Sequence, residues 1–164
     1  MTAVFDIDFH DKITSVTEES DDVAASTQVV FKFTNGYSAS VIQGRYTYGG
    51  DRGLFEMAVL DPSGHIDYEN PVTPDDVAGY LSVAEVKEKL HQLAHLTETE
   101  LVEFRKERAK AAFLKALEYL AADFRDVRRN TPDAVTELPD ELRQGVETIL
   151  AFFDNENADN EENN

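Results

Sequence analysis

The residues best suited to chemistry fall in two short clusters. Asp6, Asp8 and His10 alternate with Phe5, Ile7 and Phe9. On an extended backbone the three polar groups share one face and suit a hard or borderline metal ion. The solvent side of a half-buried strand over 4–9 has the same pattern, and the spacing designates no further ligand. Glu88, His91 and His95 stand at helical intervals. One Glu and two His on one helix face fit zinc, and they equally fit the polar face of an amphipathic helix. The His-x-x-x-His spacing lacks the Glu beside the first His that zinc proteases use as a base. With no cysteine in the chain, disulfides, thiolate metal sites and thiol catalysis are excluded. There is no Walker loop, no dinucleotide fingerprint after a strand and no nucleophile elbow. Gly49-Gly50-Asp51-Arg52-Gly53 offers backbone amides to an anion, as glycines in any hairpin loop do. The reading therefore assigns no catalytic residue, no metal ligand set and no cofactor, and expects a protein that is not an enzyme.

Charge is the stronger signal. The 33 acidic and 15 basic residues of the 164 give a net of −18. Residues 1–96 hold 16 acids and 6 bases, residues 97–129 hold 7 and 8, and residues 130–164 hold 10 and 1. Such a chain does not bind nucleic acid by neutralising phosphates, which requires Lys and Arg. Its carboxylates suit a basic partner, including one that normally holds DNA or RNA. The same acidity is a means of staying hydrated in a salty cytoplasm. The N-terminal residues lack a basic region and a long apolar run, and no stretch approaches a membrane span. The expectation is a soluble, unexported, cytoplasmic protein with no membrane partner.

The elements that must position these groups read as α+β: an antiparallel β-meander of four to five strands followed by three helices, one of them long, and a disordered acidic tail. Strands are predicted at 4–9, Ile13–Thr17, Val29–Thr34, Tyr37–Ile42, Leu54–Leu60 and His65–Tyr68, with Glu18–Asp22 as an exposed loop. Asn35-Gly36 between β-rich runs predicts a two-residue type I′ hairpin, in which both central residues need positive φ. Pro71–Gly79 reads as a connection. Ser82 with Glu85, and Thr97 with Glu100, form capping boxes, each flanked by a staple pair, Leu81/Val86 and Leu96/Leu101. Helices follow over about 83–95 and 98–129, and a last one over about 139–153. The parts are then 1–81, the sheet; 82–153, helices packed on the sheet and on a partner helix; and 154–164, the tail.

The long helix exceeds what a small sheet covers, since strands span about 17–20 Å. Its apolar stripe includes Leu101, Phe104, Phe113, Leu117, Leu120 and Phe124, which makes self-association through these residues the natural use of the surplus. Tyr37, Tyr46, Tyr48, Tyr68 and Tyr80 gather in the β half, as interface anchors or as half-buried sheet edges.

Phe33 to Ile42, Tyr46-Thr47-Tyr48-Gly49-Gly50, Gly53 to Leu60, Pro71-Val72-Thr73 and Gly79-Tyr80-Leu81 together resemble a family of small bacteriophage proteins of unassigned function, over about residues 28–95. Tyr80 stands where that pattern has an aromatic residue, often Trp. The resemblance implies a phage gene acting in a bacterial cytoplasm and supplies no catalytic residues. With the charge, it leads to the expectation of a phage-encoded, non-enzymatic inhibitor of a host nucleic-acid-handling protein of restriction or CRISPR-type defence. The partner-binding carboxylates are then Asp140, Glu141, Glu147, Asp154, Glu156, Asp159, Glu161 and Glu162, with no direct nucleic-acid contact. The alternative is an oligomeric adaptor, a homodimer included, that pairs through the long helix.

Overall fold

The computed structural model describes residues 5, 7–23, 25–74, 76–131 and 138–161, the side chains of 154–161 excepted. It is an α+β fold: five strands, β1 (Ile13–Asp21), β2 (Ser26–Phe33), β3 (Ser38–Gly44), β4 (Phe55–Leu60) and β5 (Ala78–Leu81), form one antiparallel sheet in sequential order. Helices α1 (Val83–His95), α2 (Glu98–Asn130) and α3 (Asp140–Glu161) follow. The chain divides into two compact units, Met1–Lys106 and Glu107–Asn164.

Alternation along β2, β3 and β4 sends Val29, Phe31 and Phe33, Ala39 and Val41, and Phe55, Met57 and Val59 to one face, where all are buried. Helix α1 packs across β3, β4 and β5 and supplies Val86, Leu90, Leu93 and Ala94 to the same core. Both capping boxes form as the sequence predicts. Ser82 Oγ accepts from the Glu85 amide at 3.3 Å while Glu85 Oε2 accepts from the Ser82 amide at 2.8 Å. Thr97 and Glu100 repeat the exchange at 3.3 and 2.9 Å, so each helix begins with its first donors satisfied.

Several strand assignments are corrected. Phe5, Ile7 and Phe9 are buried in the core, but none of them lies in a strand, and His10–Lys12 is a 3-10 turn. The period-two pattern reported which residues are buried, and burial needs no ladder partner. Glu18–Asp21 is strand rather than loop, because β1 pairs residue by residue with β2 as far as Asp21↔Ser26. The 65–68 strand reduces to a single bridge, Leu60↔Ile66, and the fifth strand lies instead at Ala78–Leu81, inside and just beyond the stretch read as a connection.

The Asn35-Gly36 turn is a hairpin of a different type. Gly36 has φ +89° and Asn35 is not at positive φ. Gly36 N–H donates to Phe33 O at 3.1 Å and Phe33 N–H to Tyr37 O at 2.9 Å. This is a three-residue loop, a type I turn closed by one left-handed residue. Asn35 is held by a distant element: its Nδ2 donates to the Leu93 and Leu96 carbonyls at 2.8 and 3.2 Å. It thereby caps the C-terminal end of α1, which no local reading of the turn contains.

In the second unit the buried residues are Ala121 on α2 and Val146 and Leu150 on α3, with Phe124, Leu138, Ile149 and Phe153 against them. Ala121 lets the two helices approach, and Arg128 Nη1 meets Glu147 Oε2 at 3.4 Å. Helix α3 continues to Glu161, past the Phe153 at which the sequence reading ends it. Once a helix is nucleated, each added residue gains one backbone hydrogen bond. The tail expected to be disordered, 154–164, otherwise lies outside the described residues. No helix among the described residues is long and apolar enough to cross a membrane.

Candidate functional site

β1 is an edge strand, so one row of its backbone N–H and C=O groups faces away from the sheet. Every residue from Thr14 to Asp21 is exposed. Glu18, Glu19 and Asp21 are on it and Asp22 opens the turn that follows, so four carboxylates stand within five residues. The register fixes their sides. Glu18 pairs with Val29 and so takes the core side beyond the core's end, while Glu19 and Asp21 pair with Gln28 and Ser26 on the other. The sequence showed these acids; it could not show that they line a strand edge.

The acidic residues assigned to a partner from sequence are placed less uniformly. Asp140 and Glu141 are exposed in the first turn of α3, where the helix dipole favours negative charge. Asp140 also meets Arg143 at 3.2 Å, and Glu147 meets Arg128 at 3.4 Å. Asp154, Glu156, Asp159 and Glu161 fall on the last turns of α3 with side chains outside the described residues, as is the whole of Glu162.

Glu88, His91 and His95 do not assemble as a metal cluster. Asp8 and His10 are exposed and Asp6 lies outside the described residues. The rings of His91 and His95 stack at 4.2 Å, and the edge of Phe9 meets them at 5.4 and 6.0 Å. His95 Nδ1 lies 2.8 Å from the His91 carbonyl, to which it must donate because a carbonyl only accepts. Glu88 accepts instead from Gln92 Nε2 at 3.2 Å. Among the described residues no three His, Cys, Asp or Glu side chains gather as a metal site.

Two of the five tyrosines come together. Tyr48 and Tyr80, each 56% exposed, have ring centroids 6.3 Å apart, and the Arg52 guanidinium lies 5.9 Å over the Tyr80 ring. Tyr80 N–H donates to Tyr48 O at 3.0 Å and holds Tyr80 at φ +58°, a strained setting for a bulky residue. A Cβ at Gly79 would strike Tyr48 Cβ, so the glycine is what lets the ring lie there. Tyr46 is separate, under Arg45, and Tyr68 is half exposed. Tyr37 is half-buried, and burial pushes its phenol up against the opposing pull of Arg105. Arg105 itself joins Asp67 Oδ2 at 3.0 Å and donates to Glu69 O at 3.1 Å, a clamp that holds the start of α2 to the 67–69 loop.

The remaining displaced titrations have structural causes. The Ser82 and Thr97 hydroxyls and then their amides hold Glu85 and Glu100 below the ordinary carboxylate value. The Ser63 hydroxyl does the same for Asp61 in its turn. Each shift comes from a cap, a turn or burial, and the groups do not converge on one cleft.

The six residues assigned to self-association divide. Leu101 is buried in the first unit and Phe104 is half-buried; Leu117 and Phe124 are half-buried; Phe113 and Leu120 are exposed, at 63% and 42%. Leu114 and Leu117 join Ile149, Phe152 and Phe153 around an apolar groove of about 240 Å³ between α2 and α3. Comparison with protein-family models, curated proteins and solved structures gives no match.

Proposed function

We propose that the chain is a non-enzymatic binding protein that blocks a basic, nucleic-acid-handling partner, and that β1 is the surface it presents. The observation that carries this is the acidic edge strand. An antiparallel strand rises about 3.4 Å per residue, and one DNA strand carries one phosphate per about 3.4 Å of helix axis. Glu19 and Asp21, on one side of the strand, thus stand about 7 Å apart, close to every second phosphate of such a strand, with Glu18 on the other side. The same strand offers backbone hydrogen bonds to an extended basic segment laid beside it. Residues 28–95 resemble small phage proteins, which points to a bacterial partner such as a restriction or CRISPR-type effector.

The test is capture of partners from a bacterial lysate on the chain and on its Glu18→Lys/Glu19→Lys/Asp21→Lys variant, eluted with a salt gradient. The expected result is a basic protein that elutes with rising salt, is released by its own nucleic acid and is lost on the variant. Salt-insensitive capture, capture of metabolic or structural proteins alone, or equal capture by the variant would sink the reading.

A further inference from the structure

We propose that α2 pairs antiparallel with α2 of a second copy of the chain, along the seam that it does not turn to α3. From Val102 to Val127, residues at alternating steps of four and three positions are all exposed. That spacing has the 3.5-residue period on which two helices wind around each other. Over 33 helical residues the element is about 50 Å long, enough for such a seam.

The chemistry of the seam selects the occupant and its direction. Laid antiparallel on itself, the seam brings Phe113 opposite Ala116 and Leu120 opposite Ala109, so each large side chain meets a small one. Val127 meets Val102 at the two ends. The only charges in the seam, Lys106 and Asp123, fall opposite each other. One register satisfies all four kinds of layer, and two-fold symmetry makes each occur twice. A parallel pair in register fails at the charged layers and at the Phe113 and Ala116 layers. It sets Phe113 on Phe113 and Ala116 on Ala116, overfilling one layer and emptying the next, and it opposes Lys106 to Lys106 and Asp123 to Asp123. A single polar layer within an apolar seam fixes register and partner number at some cost in stability.

The pairing narrows the sequence-derived set of self-association residues. Leu101, Leu117 and Phe124 serve contacts within the chain, and of that set Phe113 and Leu120 remain for the partner. The inference does not rest on the acidic-strand reading, and each can fail without the other.

Sedimentation equilibrium on the full chain, from micromolar to near-millimolar concentration, is expected to give twice the chain mass. Phe113→Glu and Lys106→Asp are expected to return it to one chain mass with helical circular dichroism unchanged, since both positions are exposed. Adding Asp123→Lys to Lys106→Asp reverses the charged layer and restores the double mass. Because the chain has no cysteine, a mixture of Ala109→Cys chains and Leu120→Cys chains is expected to form a cross-linked dimer on oxidation, whereas Ala109→Cys chains alone are not. One chain mass throughout for the unaltered protein overturns the proposal. So does a double variant that stays monomeric, or cross-linking of Ala109→Cys chains alone, which requires a parallel pair.

Discussion

The unit that ends at Lys106 buries residues from four strands, β2 to β5, together with α1 and Phe5, Ile7 and Phe9 of the N-terminal segment, in a common core. The unit that begins at Glu107 buries Ala121, Val146 and Leu150, with Phe113, Tyr119, Leu120 and Leu142 left exposed. The reason is geometric. A sheet with a helix on it makes an extended two-layer contact, whereas two helices touch along one line and each has only a narrow stripe to give. The first unit thus builds one continuous core although rings such as Tyr48 and Tyr80 stay outside it, whereas the second unit has a much smaller cluster to set against its exposed apolar residues.

That contrast can be broken by mutation. Phe31→Ala removes a fully buried ring and is expected to cost about 3–5 kcal/mol, measured by urea denaturation. Leu150→Ala, in the smaller cluster, is expected at the low end for its type, about 2 kcal/mol. Hydrogen exchange should then show α3 amides opening at lower free energy than those of β2 and β3. If the two variants cost the same and all amides exchange through one global event, the units are not distinct in stability.

Arg105→Met sharpens the picture of how the first unit holds the beginning of α2. Asp67 is nearly buried while Arg105 is 38% exposed, so the loss is discounted from that of a fully buried pair to about 1–2 kcal/mol. A neutral effect in thermal melts would show the clamp to be ornamental. Asn35→Ala takes away the cap on α1 and should cost about 1 kcal/mol, with the extra exchange confined to the last turn of α1.

The smallest effect is a pH dependence at the two capping boxes. Glu85 and Glu100 titrate below the ordinary glutamate value of 4.5 in the folded chain. Their contribution is therefore complete above that value and is lost as pH falls through the lowered folded value. Ser82→Ala should move the Glu85 carboxyl back toward its ordinary value in an NMR titration and leave Glu100 where it was. Movement of both together would mean that the boxes are not independent.

Both boxes were legible in the sequence because a cap involves residues three apart. The strand order was legible where Val29 to Phe33 and Phe55 to Leu60 alternate. The 4–9 strand failed because Phe5, Ile7 and Phe9 reach the core without a ladder partner, and a pattern of burial contains no information on hydrogen bonding. The turn at Asn35 was placed correctly and typed wrongly, because its side chain bonds to carbonyls about sixty residues away. Of the proposed acidic site, the residues were visible and their setting was not. Glu18 to Asp22 looks like a loop until Ser26 to Val29 is laid beside it.

By itself, then, the sequence determined what depends on near neighbours: the net charge, the helix starts, the lengths of α1 and α2, and the face each central strand buries. The tertiary structure decided which carboxylates stand on a sheet edge and which apolar residues of α2 remain on the surface. Exposure is a property of what packs against a residue. On a helix whose apolar residues surround more than half its circumference, only the position of α3 tells one stripe from the other.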